Sequence, residues 1–221
     1  MSLQAIRIPA QTNPPQGLLV GLHGWGANAQ DLASLGQFLN VSNYELLFPD
    51  APFQHPHAPQ GKMWYGFPNS PSFQTSYNFR HLPDLIESRQ RLVDWLRSLE
   101  HSTGIPLSRT VLAGFSQGGA MTLDVGLELP LAGLIVLSGY LHAPLPTDGS
   151  IPPVLIVHGR YDQVVPVAAA RQARDGLLSR GASVQYHEFD MAHEIRPAVV
   201  QIMQSFIEET VVPPDQNPKT A

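Results

Sequence analysis

"VLAGFSQGGA", residues 111–120, decides how this chain is read. An apolar run ends in Gly114, Ser116 stands alone between Phe115 and Gln117, and Gly118 and Gly119 follow. Residues 114–118 fit G-x-S-x-G, the pattern of a strand that turns sharply into a helix with serine at the apex. Side chains two residues to either side of that serine would collide, so glycine fills both positions. The turn presents the hydroxyl at a helix N-terminus, where partial positive charge and free N–H groups favour an oxyanion. Ser116 is therefore the candidate nucleophile. The backbone N–H of Gln117, the next residue, is a candidate oxyanion donor. Phe115 is expected beside the turn, and Gly119 is expected to ease the helix against its sheet.

Both flanks repeat the strand-then-helix alternation. "GLLVGLHG" (17–24), "YELLFPDAPF" (44–53), "RTVLAGF" (109–115), "LAGLIVLSG", "PPVLIVHG" and "ASVQYHEF" read as strands, several of them continuously apolar. Between them lie helical patterns. One follows Asn28, a cap with Asp31 in the first turn. Another opens at Pro83 with Leu85, Leu92, Leu96 and Leu99 at helical spacing. Three more are "GAMTLDVGLEL", ended by Pro130, "PVAAARQARDGLLSRG" and "RPAVVQIMQSFIEET". Strands buried on both faces and alternating with helices imply an α/β fold, a mostly parallel central sheet with helices on both faces. No linker or repeat divides the chain, so residues 1–210 read as one domain and the proline-rich 211–221 as a flexible tail.

A serine hydroxyl needs a base, and the base needs a carboxylate to orient it. In a doubly wound hydrolase the acid follows a later strand and the histidine follows the last one. "VLIVHGRYDQVVP" places Asp162 in the first position and "YHEFDMAHEI" places His193 in the second. Other titratable residues fit less well. His187 lies inside a strand pattern, and His158 is expected to shape its turn. Asp190 sits against the strand end, Asp50 reads as a turn residue, and Asp124 reads as a solvated mid-helix residue. His55 and His57 form an H-x-H pair with no carboxylate or cysteine nearby, so no metal site is expected there.

The first glycine loop, "LHGWGAN", offers the second oxyanion donor through the Trp25 N–H, with His23, Gly24 and Gly26 letting the backbone approach a substrate. Residues 52–80 carry five prolines together with Trp64, Tyr65, Phe67 and Phe73, and a loop this long is usually functional. Trp25, Trp64 and Phe73 are the candidates to line an apolar acyl pocket.

Composition narrows the classes. Of 221 residues 43% are hydrophobic and 14% charged, and the formal net charge is −5 with no basic cluster, so no nucleic-acid partner is expected. The absence of cysteine excludes disulfides, thiolate metal sites, a cysteine nucleophile and S-palmitoylation. The first residues lack a signal-peptide apolar core, and the longest apolar stretch, 131–141, is too short to span a bilayer. A cytoplasmic protein without stable membrane insertion is expected, and a homodimer stays open.

Taken together, "LHGWGAN", "FPDAP", "GFSQGGAM", "LSGYL", "HGRYDQVVP" and "MAHEI" make the chain resemble the acyl-protein thioesterase and small carboxylesterase (phospholipase/carboxylesterase) family of α/β-hydrolases over nearly its whole length. The resemblance implies an α/β-hydrolase fold and a Ser116–Asp162–His193 triad, with backbone donors at Trp25 and Gln117. It also implies hydrolysis of carboxylic esters, and of thioesters in some members, without metal or cofactor. The substrate would be a small-molecule or lipid ester, or an acylated protein. Two departures stand out: Trp25 occupies a position usually held by leucine, and 52–80 differs from the usual spacing. Only "YLHAPLPTDGSI" separates two strands where many such enzymes insert a cap, so no cap domain is expected. The rival readings are an acyl-protein thioesterase, a lysophospholipase, a peptidase and a catalytically silent hydrolase-fold binding module.

Overall fold

The structure, a computed structural model, describes residues 3–67, 79–145 and 149–211. In chain order the elements are β1 (Ala5–Ile8), β2 (Gly17–Leu22), α1 (Ala29–Gly36), β3 (Tyr44–Pro49), β4 (Phe53–Gln54), β5 (Lys62–Met63), α2 (Pro83–Thr103), β6 (Thr110–Phe115), α3 (Gln117–Gly126), β7 (Gly133–Leu137), β8 (Val154–Gly159), α4 (Val167–Leu178), β9 (Val184–Phe189) and α5 (Pro197–Thr210). Seven strands form one sheet in the order β1-β3-β2-β6-β7-β8-β9, while β4 and β5 pair as a separate two-stranded ribbon. Within the large sheet β1 runs antiparallel to β3 and every other pairing is parallel.

Alternate side chains of the apolar strands feed two cores. Leu18, Val20 and Leu22 of β2, with Leu112, Leu134, Val136 and Ile156, pack under α2, α3 and α4. Leu19, Leu46, Phe48, Val111, Ala113, Ile135 and Leu155 pack under α1 and α5 on the other face. Burial on both faces is the reason these strands read as unbroken apolar runs rather than alternating ones. The result is the mostly parallel sheet with helices on both faces that the sequence predicts.

Local signals set the helix ends. Asn28 caps α1 by accepting from the Gln30 and Asp31 N–H groups, while the Asp31 carboxylate accepts from the Asn28 N–H, a reciprocal capping box. Pro83 opens α2 where no N–H is needed, and Gly104 closes it with φ 73°. Helix α3 stops at Gly126 rather than running to Pro130. The following N–H groups of Glu128 and Leu129 bond back to Val125 and Gly126, a tightened final turn. Strand β1 was not legible as a strand because it is a short edge of alternating exposed and half-buried residues beside a proline-rich stretch. The irregular 52–80 segment contains the β4–β5 ribbon and a short 3-10 turn at Phe79–His81; residues 68–78, Phe73 among them, and the tail 212–221 lie outside the described residues.

The parallel strands bring their carboxyl ends, and the loops that follow β2, β6, β8 and β9, to one edge of the sheet. The tightest contact at that edge is between the β6–α3 turn and the end of β2. A Cβ on Gly118 would overlap the Leu22 carbonyl and stand 2.6 Å from the His23 carbonyl oxygen, and one on Gly114 would overlap the Gly118 carbonyl. Backbone cannot yield there as a flexible side chain could. Gly118→Ala is therefore expected to destabilise the fold by about 3 kcal/mol, read as a lowered urea midpoint. An unchanged midpoint would contradict the packing described for this turn.

Candidate active site

Ser116 sits at the junction of β6 and α3 with φ 55° and ψ −117°, left-handed backbone that non-glycine residues seldom adopt. Hydrogen bonds on both sides hold it. Its N–H donates to the Leu137 carbonyl at 2.8 Å, and its carbonyl accepts from the Ala120 N–H at 3.0 Å. Gly119 lies close against the end of β7, where a Cβ would stand 3.2 Å from the Leu137 carbonyl oxygen. The strain of the turn is thus sustained by the sheet neighbour on one side and the helix on the other.

Asp162, three residues beyond β8, is buried. Its Oδ1 accepts from the N–H groups of Val164 (2.9 Å) and Val165 (2.8 Å), and its Oδ2 accepts from His193 Nδ1 at 2.7 Å. His158 Nε2 donates to the Val165 carbonyl at 2.8 Å and stands 3.4 Å from the same Oδ2. Burial opposes ionisation of this carboxyl. The nearby His158 ring, the hydrogen bond from His193 and the Val165 N–H outweigh it and hold the group well below the usual carboxylate range. With Nδ1 engaged by Asp162, Nε2 of His193 has no hydrogen-bond partner among the described residues. The His193 ring is half-buried against Phe115, the residue before the serine, with centroids 4.7 Å apart. Ser116 Oγ itself makes no hydrogen bond among the described residues.

The loop after β2 forms the facing wall. His23 is buried and held from both ring nitrogens: Nδ1 donates to the Gly24 carbonyl at 2.8 Å, and Nε2 accepts from the Ala51 N–H at 3.0 Å. Burial pushes its imidazole below the ordinary range, which suits a neutral ring with that tautomer. The ribbon strand β5 then latches the loop, with Gly26 N–H donating to the Lys62 carbonyl (2.9 Å) and Lys62 N–H to the Ala27 carbonyl (2.7 Å). The Trp25 N–H has no acceptor among the described residues, and the Gln117 N–H, first in its helix, has no intrahelical one.

The aromatic residues divide differently from expectation. Trp25 is 43% exposed at the site mouth, its ring edge-to-face with His55 and near Phe67. Trp64 is fully buried and so presents no surface to an open acyl pocket. It acts instead as a strut beneath the loop. Its indole N–H donates to the His23 carbonyl at 3.0 Å, and its backbone N–H donates to Gln117 Oε1 at 2.9 Å. The Gln117 amide nitrogen also donates to the Tyr65 carbonyl at 2.8 Å. The buried Gln117 side chain therefore has a structural task beyond its backbone N–H, which its lone position in the motif did not reveal.

The remaining candidates fall away from the serine. Asp50 accepts from the Ala29 N–H and fixes the start of α1, as a turn residue should. Asp190 is exposed and paired with Arg160. His187 is half-buried on β9 near Phe189. Asp124 is a correction: it is buried, not solvated, because α3 is covered along its whole length. Arg80 and Arg89 pair with its carboxylate at 3.0 and 2.9 Å, and His142 Nδ1 lies 3.0 Å from it. The Tyr65 hydroxyl lies 2.7 Å from His142 Nε2 and 2.5 Å from the Tyr140 hydroxyl, which completes a buried polar network. The paired arginines lie in α2 and the turn before it, so the sequence pattern around Asp124 carried no local sign of them.

Seven strands in this order, six of them parallel, with a strained serine turn after the central strand, define an α/β-hydrolase. The chain belongs to the phospholipase/carboxylesterase family, whose model matches residues 3–211. It is 27% identical over 226 residues to the lysophospholipase-like protein 1 of Mus musculus, covering 92% of each chain. It is 24% identical to the acyl-protein thioesterase 1 of Saccharomyces cerevisiae, covering 95% of this chain and 99% of the relative. Among solved structures it is similar to esterase PE8, with a TM-score of 0.85, 30% identity, and coverage of 95% of this chain and 100% of that one.

The depressed Asp162 carboxyl has a consequence for stability. The unfolded chain binds a proton at this position near pH 4, whereas the folded protein binds it only at lower pH. The contribution of ionised Asp162 is thus complete above the unfolded value and fades as pH falls through the folded one. The difference in urea midpoint between the wild type and Asp162→Asn is expected to be widest near neutrality and to narrow from about pH 5 to pH 2. A difference that stays constant over that range would contradict the hydrogen-bonded carboxylate.

Proposed function

We propose that the protein is a serine carboxylesterase, residues 1–210 forming one catalytic domain, that hydrolyses carboxylic esters of apolar acyl groups through Ser116, His193 and Asp162. The observation that carries this reading is the 2.7 Å contact between His193 Nδ1 and the buried Asp162 carboxylate, at the sheet edge where Ser116 is held in left-handed backbone. Hydrolase family membership supports the reaction class.

In this reading His193 Nε2 accepts the Ser116 proton as Oγ attacks the ester carbonyl, while Asp162 orients the ring and stabilises its charged form. The oxyanion is held by the N–H groups of Trp25 and Gln117. Trp64 bonds to both of those segments at once, so it sets the distance between the two donors. His193 then protonates the leaving alcohol and activates water to release the acyl group. Trp25, with its exposed face at the site mouth, remains the acyl-contact candidate.

Thioester cleavage is the second reading, and the name of the Saccharomyces cerevisiae relative favours it. Attack on a thioester carbonyl uses the same base, acid and donors, so the two reactions differ in the leaving group alone. Ester, thioester and lysophospholipid substrates assayed beside Ser116→Ala separate these readings from one another and from a catalytically silent binding module. Ser116→Ala is expected to lower turnover on the preferred substrate by at least about 10⁴-fold while its urea midpoint stays close to that of the wild type. Near-normal turnover in the variant would overturn the assignment.

A further inference from the structure

A cleft of about 400 Å³ opens beside the catalytic edge, walled by Leu32, Leu35 and Phe38 on the α1 side and by Phe115, His193 and Ile195 opposite. Its lining is mostly apolar, and Phe38, at the end of α1, is 73% exposed. That ring extends the apolar surface of the cleft outward, and contiguous apolar surface of this kind marks ligand-binding grooves. The cleft also lies next to the serine turn, with Phe115 and His193 in its wall. Gly24 forms part of its wall, and a Cβ placed on Gly24 would stand 3.3 Å from Ser116 Cβ.

The position of His193 says which half of a substrate belongs there. The base that deprotonates Ser116 must next deliver that proton to the leaving oxygen, so the leaving group lies against the imidazole. The cleft has His193 as a wall, whereas Trp25 and Trp64 are not part of its lining. An apolar cleft on the histidine side favours the alcohol half of an ester, and it favours an alcohol with an alkyl or aryl body over a small polar one.

The same place is where water must enter to hydrolyse the acyl-enzyme. We propose that this cleft is a binding site for apolar alcohols, serving first the leaving group and then an incoming acceptor, so that the enzyme transfers acyl groups to apolar alcohols in competition with water. The inference rests on the Ser116 acyl-enzyme proposed above. In the transfer step the alcohol oxygen attacks the carbonyl carbon of the Ser116 ester and its proton passes to His193 Nε2. The bond between that carbon and Ser116 Oγ then breaks, and Oγ takes the proton back from His193. A new ester leaves, the serine is restored, and no further reactant is required.

The test uses one p-nitrophenyl ester, so that every reaction passes through the same acyl-enzyme, with ethanol, butanol, hexanol or benzyl alcohol added at equal concentration. The ratio of transferred to hydrolysed product is measured for each. In the wild type the ratio is expected to rise by roughly tenfold from ethanol to hexanol. Phe38→Ser, which changes an exposed position, is expected to flatten that rise. Ser34→Trp, which fills the exposed rim, is expected to remove it for hexanol and benzyl alcohol and to spare ethanol. A ratio that is flat across the alcohols, or that is identical in both variants and the wild type, overturns the cleft assignment. Fluorophosphonate labelling of the same preparations tells the two failures apart. An unlabelled Ser116 removes the acyl-enzyme itself, and a labelled Ser116 with a flat ratio removes only the alcohol site.

Discussion

The close approach of the first turn of α3 to the end of β2 is the contact on which the site depends. Backbone meets backbone there, with Gly118 against the Leu22 and His23 carbonyls and no room for a side chain. Beside that approach Ser116 is held in left-handed backbone, at a cost of about 1–3 kcal/mol, offset by the two apolar cores on either side of the sheet. The approach also brings the N–H of Gln117 beside the loop that carries Trp25. One contact therefore fixes the serine turn against the loop that carries the other proposed oxyanion donor. Trp64 and the Gln117 amide then brace the arrangement from below, tying the β5 end to both segments.

Two buried carboxylates in this protein meet histidines in contrasting surroundings. Asp124 and Asp162 each meet a histidine Nδ1 through Oδ2, at 3.0 and 2.7 Å. His142, the partner of Asp124, is buried and has its Nε2 engaged by the Tyr65 hydroxyl. Asp124 is further neutralised by Arg80 and Arg89, which suits a network that fixes α3 against α2. His193 is half-buried, and its Nε2 meets no protein partner among the described residues. The same side-chain pair is thus saturated in one place and keeps, among the described residues, an unengaged Nε2 at the sheet edge in the other. His158 adds a fixed neighbour to Asp162 without engaging His193.

Much of this was legible because it follows from strong local rules. Continuous apolar runs gave the parallel strands, Asn28 and Pro83 gave two helix starts, and the glycines around Ser116 gave the turn by steric necessity. The positions of Asp162 and His193 followed from chain order in a doubly wound sheet. What escaped depended on contacts between distant segments. The β1 edge shows only two half-buried isoleucines. The surroundings of Asp124 come from Arg80 and Arg89, far from it in sequence. The role of Trp64 is set by His23 and Gln117, 41 and 53 residues away, so an aromatic in a proline-rich loop read as a pocket wall when it is a buried strut.

The central claim is that Ser116 carries the acyl group during turnover. Rapid mixing of the enzyme with a p-nitrophenyl ester, acid quenching and peptide mass spectrometry test it directly. The account predicts a mass increase equal to the acyl group, on the peptide that contains Ser116 and at that residue. Release of nitrophenol from an unmodified enzyme, or acylation at another residue, would contradict it.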